Sequence, residues 1–132
     1  AAGIASGLGY GDNFNAVLVS NAIREMELFL DAVYPEHREV NDSAYLGDLL
    51  VTAYSLFSRN RNLGNLIGKG YTVKSAVQSM SMVAEGYYAT RGIYEIAYEK
   101  KLKTPIINTV FSILYEGKDA EKQFKKLTEK LT

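Results

Sequence analysis

From Asp12 onward the chain alternates apolar and polar positions with a helical period. Val19, Ala22-Ile23, Met26, Phe29-Leu30 and Val33 recur every three or four residues, the spacing that places side chains on one face of a helix. Asp12 or Asn13 is positioned to cap its start, and Pro35 marks its end. A second helix is expected near 44 to 55, with Leu46, Leu49-Leu50 and Ala53-Tyr54 on its apolar face. Ser58 reads as the cap of a third, from about Asn60 to Ile67, closed by Gly68 and Gly70. Thr72 opens a short helix to about Met80, and a long pattern runs from Glu85 to Leu102. Thr104-Pro105 is a start signal, with proline at the first helical position. That helix runs to Tyr115 and stops at Gly117. In the tail, Phe124, Leu127 and Leu131 share one face and lysines take the others. Apolar–polar alternation of period two never persists, and neither a repeat nor a low-complexity linker interrupts the chain. The expectation is an all-α fold, one domain of six to eight helices.

Composition narrows the partners. At 132 residues with 47% apolar content, the chain can bury a core of its own. Fifteen acids balance fifteen bases, which argues against a general nucleic-acid binder. The charges are unevenly spread. From Leu49 to Ala84 no carboxylate occurs, while Arg59, Arg61, Lys69 and Lys74 do, a locally cationic tract that points to an anionic ligand. Cysteine is absent and the one histidine, His37, lies in a polar stretch, so no metal site is expected. No apolar run nears the roughly 20 residues that span a bilayer, and no signal peptide is visible. The expected location is cytoplasmic.

Two glycine motifs fail on spacing. "GLGYGD" has Asp12 where a dinucleotide fingerprint needs its third glycine, and reads instead as a flexible turn allowing close backbone approach. "GNLIGKG" has Leu63 and Gly70 where a P-loop needs glycine and Ser or Thr. The ten tyrosines do not alternate with bases as a single-strand platform would; packing explains them.

One constellation survives. Asp48, Thr52 and Ser55 fall at i, i+4 and i+7, a polar stripe among apolar neighbours. It faces either solvent or a cleft. Ser58-Arg59-Asn60-Arg61 follows at the start of the next helix, where backbone N–H groups lack partners and carry partial positive charge. Arg59 adds a guanidinium fork suited to phosphate, and Ser58 and Asn60 add hydrogen-bond donors. The spacing describes an anion site; capping with surface arginines is the simpler alternative.

"LGDLLVTAYSLFSRNRNLG" resembles the signature of the NAD(P)-dependent glycerol-3-phosphate dehydrogenases. "GLGYGDNFNAVLVSNAIREM", "VAEGYYATRGIYEIA" and "TPIINTVFSILYEGKDA" are similar to that family's following segments in the same order, covering essentially the whole chain. The resemblance implies a two-domain enzyme. An N-terminal Rossmann domain would bind NAD or NADP, and a helical C-terminal domain, like that of 6-phosphogluconate dehydrogenase, would hold the substrate. Residues 1–132 look like the second domain alone, with the catalytic lysine falling a few residues before Ala1. The reaction implied is interconversion of dihydroxyacetone phosphate and sn-glycerol 3-phosphate, feeding glycerophospholipid synthesis. By resemblance, Asp48 orients that lysine and Thr52 lines the same wall. Asp48, Ser58, Arg59 and Asn60 match substrate-binding positions. Arg59, Val83 and Glu85 match cofactor-contacting positions. The family's frequent dimerisation makes a homodimer an expectation, and the piece by itself is expected to be inactive. Two rivals use the same cationic tract: a non-catalytic helical module that binds a phosphorylated small molecule, and a related dehydrogenase acting on another hydroxy compound.

Overall fold

The computed structural model describes residues 1–33 and 58–132. Within them the chain forms seven helices: α1 (Ala2–Gly7), α2 (Asp12–Val33), α3 (Arg59–Gly68), α4 (Val73–Ser79), α5 (Glu85–Glu99), α6 (Pro105–Tyr115) and α7 (Ala120–Thr128). No strand occurs among the described residues, so the all-α expectation holds there. The helix expected near 44 to 55 lies outside the described residues, as does His37.

Local chemistry explains most boundaries. Ser58 accepts a hydrogen bond from Arg61 N, Thr72 from Ser75 N and Asp119 from Lys122 N, each satisfying an amide that the first turn leaves unpaired. Gly70, at φ 107°, ends α3: its N–H bonds to Ile67 O and that of Tyr71 to Leu66 O, the paired closure typical of a left-handed residue after a helix. α2 begins at Asp12 itself, so the acid expected at the cap stands in the first turn instead, where it complements the helix dipole.

Two boundaries differ from the sequence reading. The glycine stretch forms its turn at residues 8–11, but residues 2–7 before it make a helix that carried no signal; Gly9, at φ 94°, is the stop, with Gly9 N bonded to Ser6 O and Tyr10 N to Ala5 O. α5 ends at Glu99 rather than Leu102 because Lys101 takes the left-handed position, φ 57°, with the same pair of closing bonds to Tyr98 O and Ala97 O. A lysine in that role carries no sequence signal, since glycine is the usual occupant.

The core gathers Ile4, Leu18, Leu63, Ile67, Ala76, Ile113, Phe124 and Leu127, all buried. Phe124 and Leu127 form the buried stripe of α7, as its periodicity predicts, while Lys122, Lys125 and Lys126 stay exposed. Aromatic rings join α5 to α6. Tyr94 stacks on Phe111 with centroids 3.7 Å apart and planes 2° from parallel, and Tyr115 packs against Phe111 and Tyr87. The Tyr115 hydroxyl donates to Tyr87 O.

α1 and α3 meet backbone to backbone. Gly3 and Gly7 of α1 run beside Gly64 and Gly68 of α3, in the same direction. A Cβ at Gly3 would collide with Arg61 O, one at Gly7 with Asn65 O, and one at Gly68 with Ile4 O. At Gly64 it would stand 2.8 Å from Ile4 N. None of the four has a left-handed φ, so the requirement is for space alone. Arg61 Nη2 donates to Ser6 Oγ at 3.2 Å across the same contact.

α6 borrows its N-terminal acceptor. Thr104 makes no side-chain cap; Glu25 of α2 instead accepts from Ile106 N and Ile107 N, both at 2.9 Å. Burial raises the Glu25 pKa, opposed by these two bonds.

Gly64→Ala should therefore destabilise the fold by about 1–3 kcal/mol through overpacking, read as a drop in thermal midpoint of about 4–11 °C. Gly92→Ala on α5, where a Cβ meets nothing within 4 Å, should instead stabilise by about 0.5–1 kcal/mol. Equal shifts for the two variants would remove the close contact as the cause.

A second expectation concerns pH. A carboxyl whose folded pKa lies above its unfolded value adds stability below the unfolded pKa and loses it as pH rises through the folded one. Glu25→Gln, which also turns an N–H donor toward one of the two amides, should then cost more at pH 3.5 than at pH 7. Denaturant melts of parent and variant at both pH values measure this. A larger cost at pH 7 would contradict the direction of the shift.

Candidate functional site

The site begins at the N-terminus of α3. Ser58 Oγ takes the amide of Arg61 at 3.3 Å and Ser58 O takes that of Asn62 at 2.9 Å. The amides of Arg59 and Asn60 are thus left at the helix start with no intrahelical acceptor. Both side chains are exposed. Arg59 Nη1 donates to Val83 O at 3.3 Å, and Asn60 Oδ1 accepts from Gly86 N at 2.9 Å. Two helix N-termini, of α3 and α5, are thereby tied side by side.

α5 has no cap of its own: Ala84 precedes it and offers no side-chain acceptor. Asn60 supplies what is missing for Gly86. The carbonyl of Gly86 is held in turn by Thr90 Oγ1 at 2.6 Å, and Thr90 is buried. Glu85 is the first residue of α5 and exposed, a favourable position for an acid on the helix dipole. The side chain of Val83 is 51% exposed and that of Met82 60%, an apolar lip beside the Arg59 guanidinium. A cleft of about 260 Å³ opens next to Asn60, bounded among the described residues by Gly3, Leu18, Arg61, Tyr87 and Val110 among others.

Of the residues singled out in the sequence, Ser58, Arg59, Asn60, Val83 and Glu85 lie at this junction, although Asn60 and Val83 are far apart in the chain. Asp48 and Thr52 lie outside the described residues. The cationic tract separates. Arg59 and Arg61 stand at the start of α3, whereas Lys69 follows its end and Lys74 lies on α4. Ten residues of helix span about 15 Å, so the tract is not one patch. Ser58 and Asn60, read as donors, both act first as acceptors; the hydroxyl hydrogen and the carboxamide Nδ2 are what remain to donate. Arg61, given no role from sequence, ties α3 to α1 through Ser6.

Gly86, Thr90 and Glu25 gave no site signal in the sequence. A glycine in a first helical turn was the only hint at Gly86, and the acceptors of α5 and α6 come from distant segments. The glycine pairs 3/7 and 64/68, each spaced by four, were readable as faces for close packing.

The arrangement can bind an anion. It offers helix-start amides, a guanidinium with most of its donors unused among the described residues, and a hydroxyl and an amide nitrogen nearby. The Glu85 carboxylate opposes this only weakly, because it is exposed and screened.

A sequence profile described as "NAD-dependent glycerol-3-phosphate dehydrogenase C-terminus" matches residues 1–125. The glycerol-3-phosphate dehydrogenase [NAD(P)+] of Desulfotalea psychrophila is 39% identical over 127 residues, 96% of this chain and 38% of that protein. That of Bacillus pumilus is 37% identical over the same length, covering 96% and 37%. The crystal structure of glycerol-3-phosphate dehydrogenase from Coxiella burnetii superposes with a TM-score of 0.92 at 30% identity, over 97% of this chain and 39% of that one. The chain thus spans less than two fifths of these relatives. It belongs to the family of C-terminal domains of NAD(P)-dependent glycerol-3-phosphate dehydrogenases.

Proposed function

We propose that this chain is the substrate domain of an enzyme that interconverts dihydroxyacetone phosphate and sn-glycerol 3-phosphate. One observation carries the reading. In a chain of this family, Arg59 and Asn60 at the start of α3 are hydrogen-bonded to Val83 and Gly86 at the start of α5. Ser58, Arg59 and Asn60 would hold the substrate phosphate through charge-assisted hydrogen bonds. Arg59, Val83 and Glu85 would meet the cofactor, NAD or NADP. The donor set fits: a guanidinium and helix-start amides suit a phosphorylated dinucleotide. When bound, the nicotinamide cofactor supplies the hydride for C2 of the substrate.

The other parts of the reading follow the family. A Rossmann domain N-terminal to this one would carry most of the cofactor contacts, and a lysine preceding Ala1 would act as general acid toward the C2 oxygen. Asp48 would orient that lysine, with Thr52 on the same wall. The fold would be of the 6-phosphogluconate dehydrogenase C-terminal type, the enzyme a cytoplasmic homodimer, and the domain alone inactive. Among the described residues no helix is long and apolar enough to cross a membrane. The phosphate grip does no chemistry; it fixes the carbon to be reduced.

Titration of this chain with sn-glycerol 3-phosphate, followed by NMR with glycerol as control, tests the grip. Shifts are expected at Ser58–Asn60 and Val83–Gly86, with the phosphorylated compound only, and they should vanish in Arg59→Ala. Matching shifts with glycerol would overturn it. In the two-domain enzyme Arg59→Ala should raise KM about 10- to 100-fold, the worth of a hydrogen bond to a charged group. Asp48→Asn should instead act mainly on kcat, because it disturbs the general acid rather than the grip. An unchanged kcat would remove Asp48 from the mechanism.

A further inference from the structure

We infer that Gly86 is a positioning residue for substrate phosphate: by binding the carboxamide oxygen of Asn60 it leaves Nδ2 as the end that donates to the anion. The inference rests on the substrate reading above and deepens it.

The geometry is specific. The Gly86 backbone N–H can only donate, so the atom it meets at 2.9 Å must be the carboxamide oxygen. That contact settles which end of Asn60 faces α5. Nδ2 is then the end left to donate, in the same first turn of α3 as the amides of Arg59 and Asn60, which have no acceptor among the described residues. Without the contact an exposed carboxamide would turn over at little cost, which by itself weakens binding about twofold; a carboxamide pushed out of place loses the bond altogether. An oxygen there repels the anion; a nitrogen binds it.

Glycine is needed at 86 for room and not for its backbone. Gly86 has no left-handed φ and lies in the first turn of α5, where alanine is ordinarily the better helix former. A Cβ would stand 2.8 Å from Asn60 Oδ1 and 2.9 Å from its Cγ. The side chain in the way is Asn60 itself, exposed and able to move. Gly86→Ala should therefore push the carboxamide aside, losing the Asn60 cap of α5 while gaining alanine's helix propensity. The Gly86 amide is itself held in place from behind, since Thr90 Oγ1 binds the Gly86 carbonyl at 2.6 Å and Tyr115 binds that of Tyr87.

The test is a double-mutant cycle in the two-domain enzyme, with thermal midpoints measured alongside. Gly86→Ala should raise KM for dihydroxyacetone phosphate about tenfold, the size of one lost hydrogen bond to an anion. Its kcat should stay within about twofold, and its thermal midpoint should shift by only a few degrees, because alanine's gain in helix propensity offsets part of the lost Asn60 cap. Asn60→Asp keeps the acceptor for Gly86 but loses the donor, and should raise KM more than Gly86→Ala does. In an Asn60→Ala background, Gly86→Ala should have no further effect on KM, because the two act through one contact. Multiplied effects, or an unchanged KM for Gly86→Ala, would overturn the inference. A parent enzyme that does not use dihydroxyacetone phosphate at all would instead overturn the substrate reading on which it rests.

Discussion

The contact between α1 and α3 governs where everything else can stand. Four glycines let two helices touch through their backbones, with Gly3 and Gly7 against Arg61 to Gly68. Side chains at such a surface would hold the helices apart and would yield by changing rotamer. Backbone atoms do neither, so the spacing has little slack. α3 is therefore fixed at its first turn, beside Gly3, as firmly as at its last, beside Gly7. Its first turn is the one that carries Arg59 and Asn60. The Arg61–Ser6 hydrogen bond crosses the same surface and holds the turn in azimuth, so a packing constraint on one face of α3 sets the direction of the polar groups on another.

From there the order passes to α5 and α6 by borrowed capping. α3, α4 and α7 each have a local side-chain cap. α5 and α6 have none. Their first-turn amides are taken by Asn60, 26 residues away, and Glu25, 81 residues away. A helix capped by its own sequence can form early and dock later. A helix capped by a distant residue has its terminus completed only when the tertiary structure is in place. The start of α5 is thus registered against α3 by hydrogen bonds, and the body of α5 against α6 by the Tyr94–Phe111 stack. Position at the junction is determined at both ends.

The sequence was legible where structure is local. α2, α3, α4 and α6 lie close to where caps, glycines and the proline place them, because those residues act on their own turns. α1 was not, since six residues with two glycines and no polar cap carry no helical signal; it is stabilised by packing on α3. The end of α5 was missed because a lysine does a glycine's work at 101. The site was half legible. Arg59 and Asn60 were evident from type and order, and resemblance supplied Val83 and Glu85. That the tract's lysines lie at the far end of α3 follows from helix length once the helix is drawn. That Asn60 serves α5 as acceptor could not be read, because it depends on a pairing across 26 positions. Asp48 and Thr52 fall outside the described residues, and their part in the reading rests on the family.

In the proposed reading Asn60 combines a structural and a binding duty in one side chain. As the proposed phosphate ligand it would donate; as a cap for Gly86 it accepts. Aspartate can cap but repels the anion, and alanine does neither. Serine has both functions on one atom and a shorter reach. A carboxamide separates donor and acceptor by about 2.3 Å on a rigid plane, so satisfying one end aims the other. Capping α5 and orienting Nδ2 are consequently a single event. The order imposed on α3 by its glycine contact reaches the ligand side of the junction through that plane.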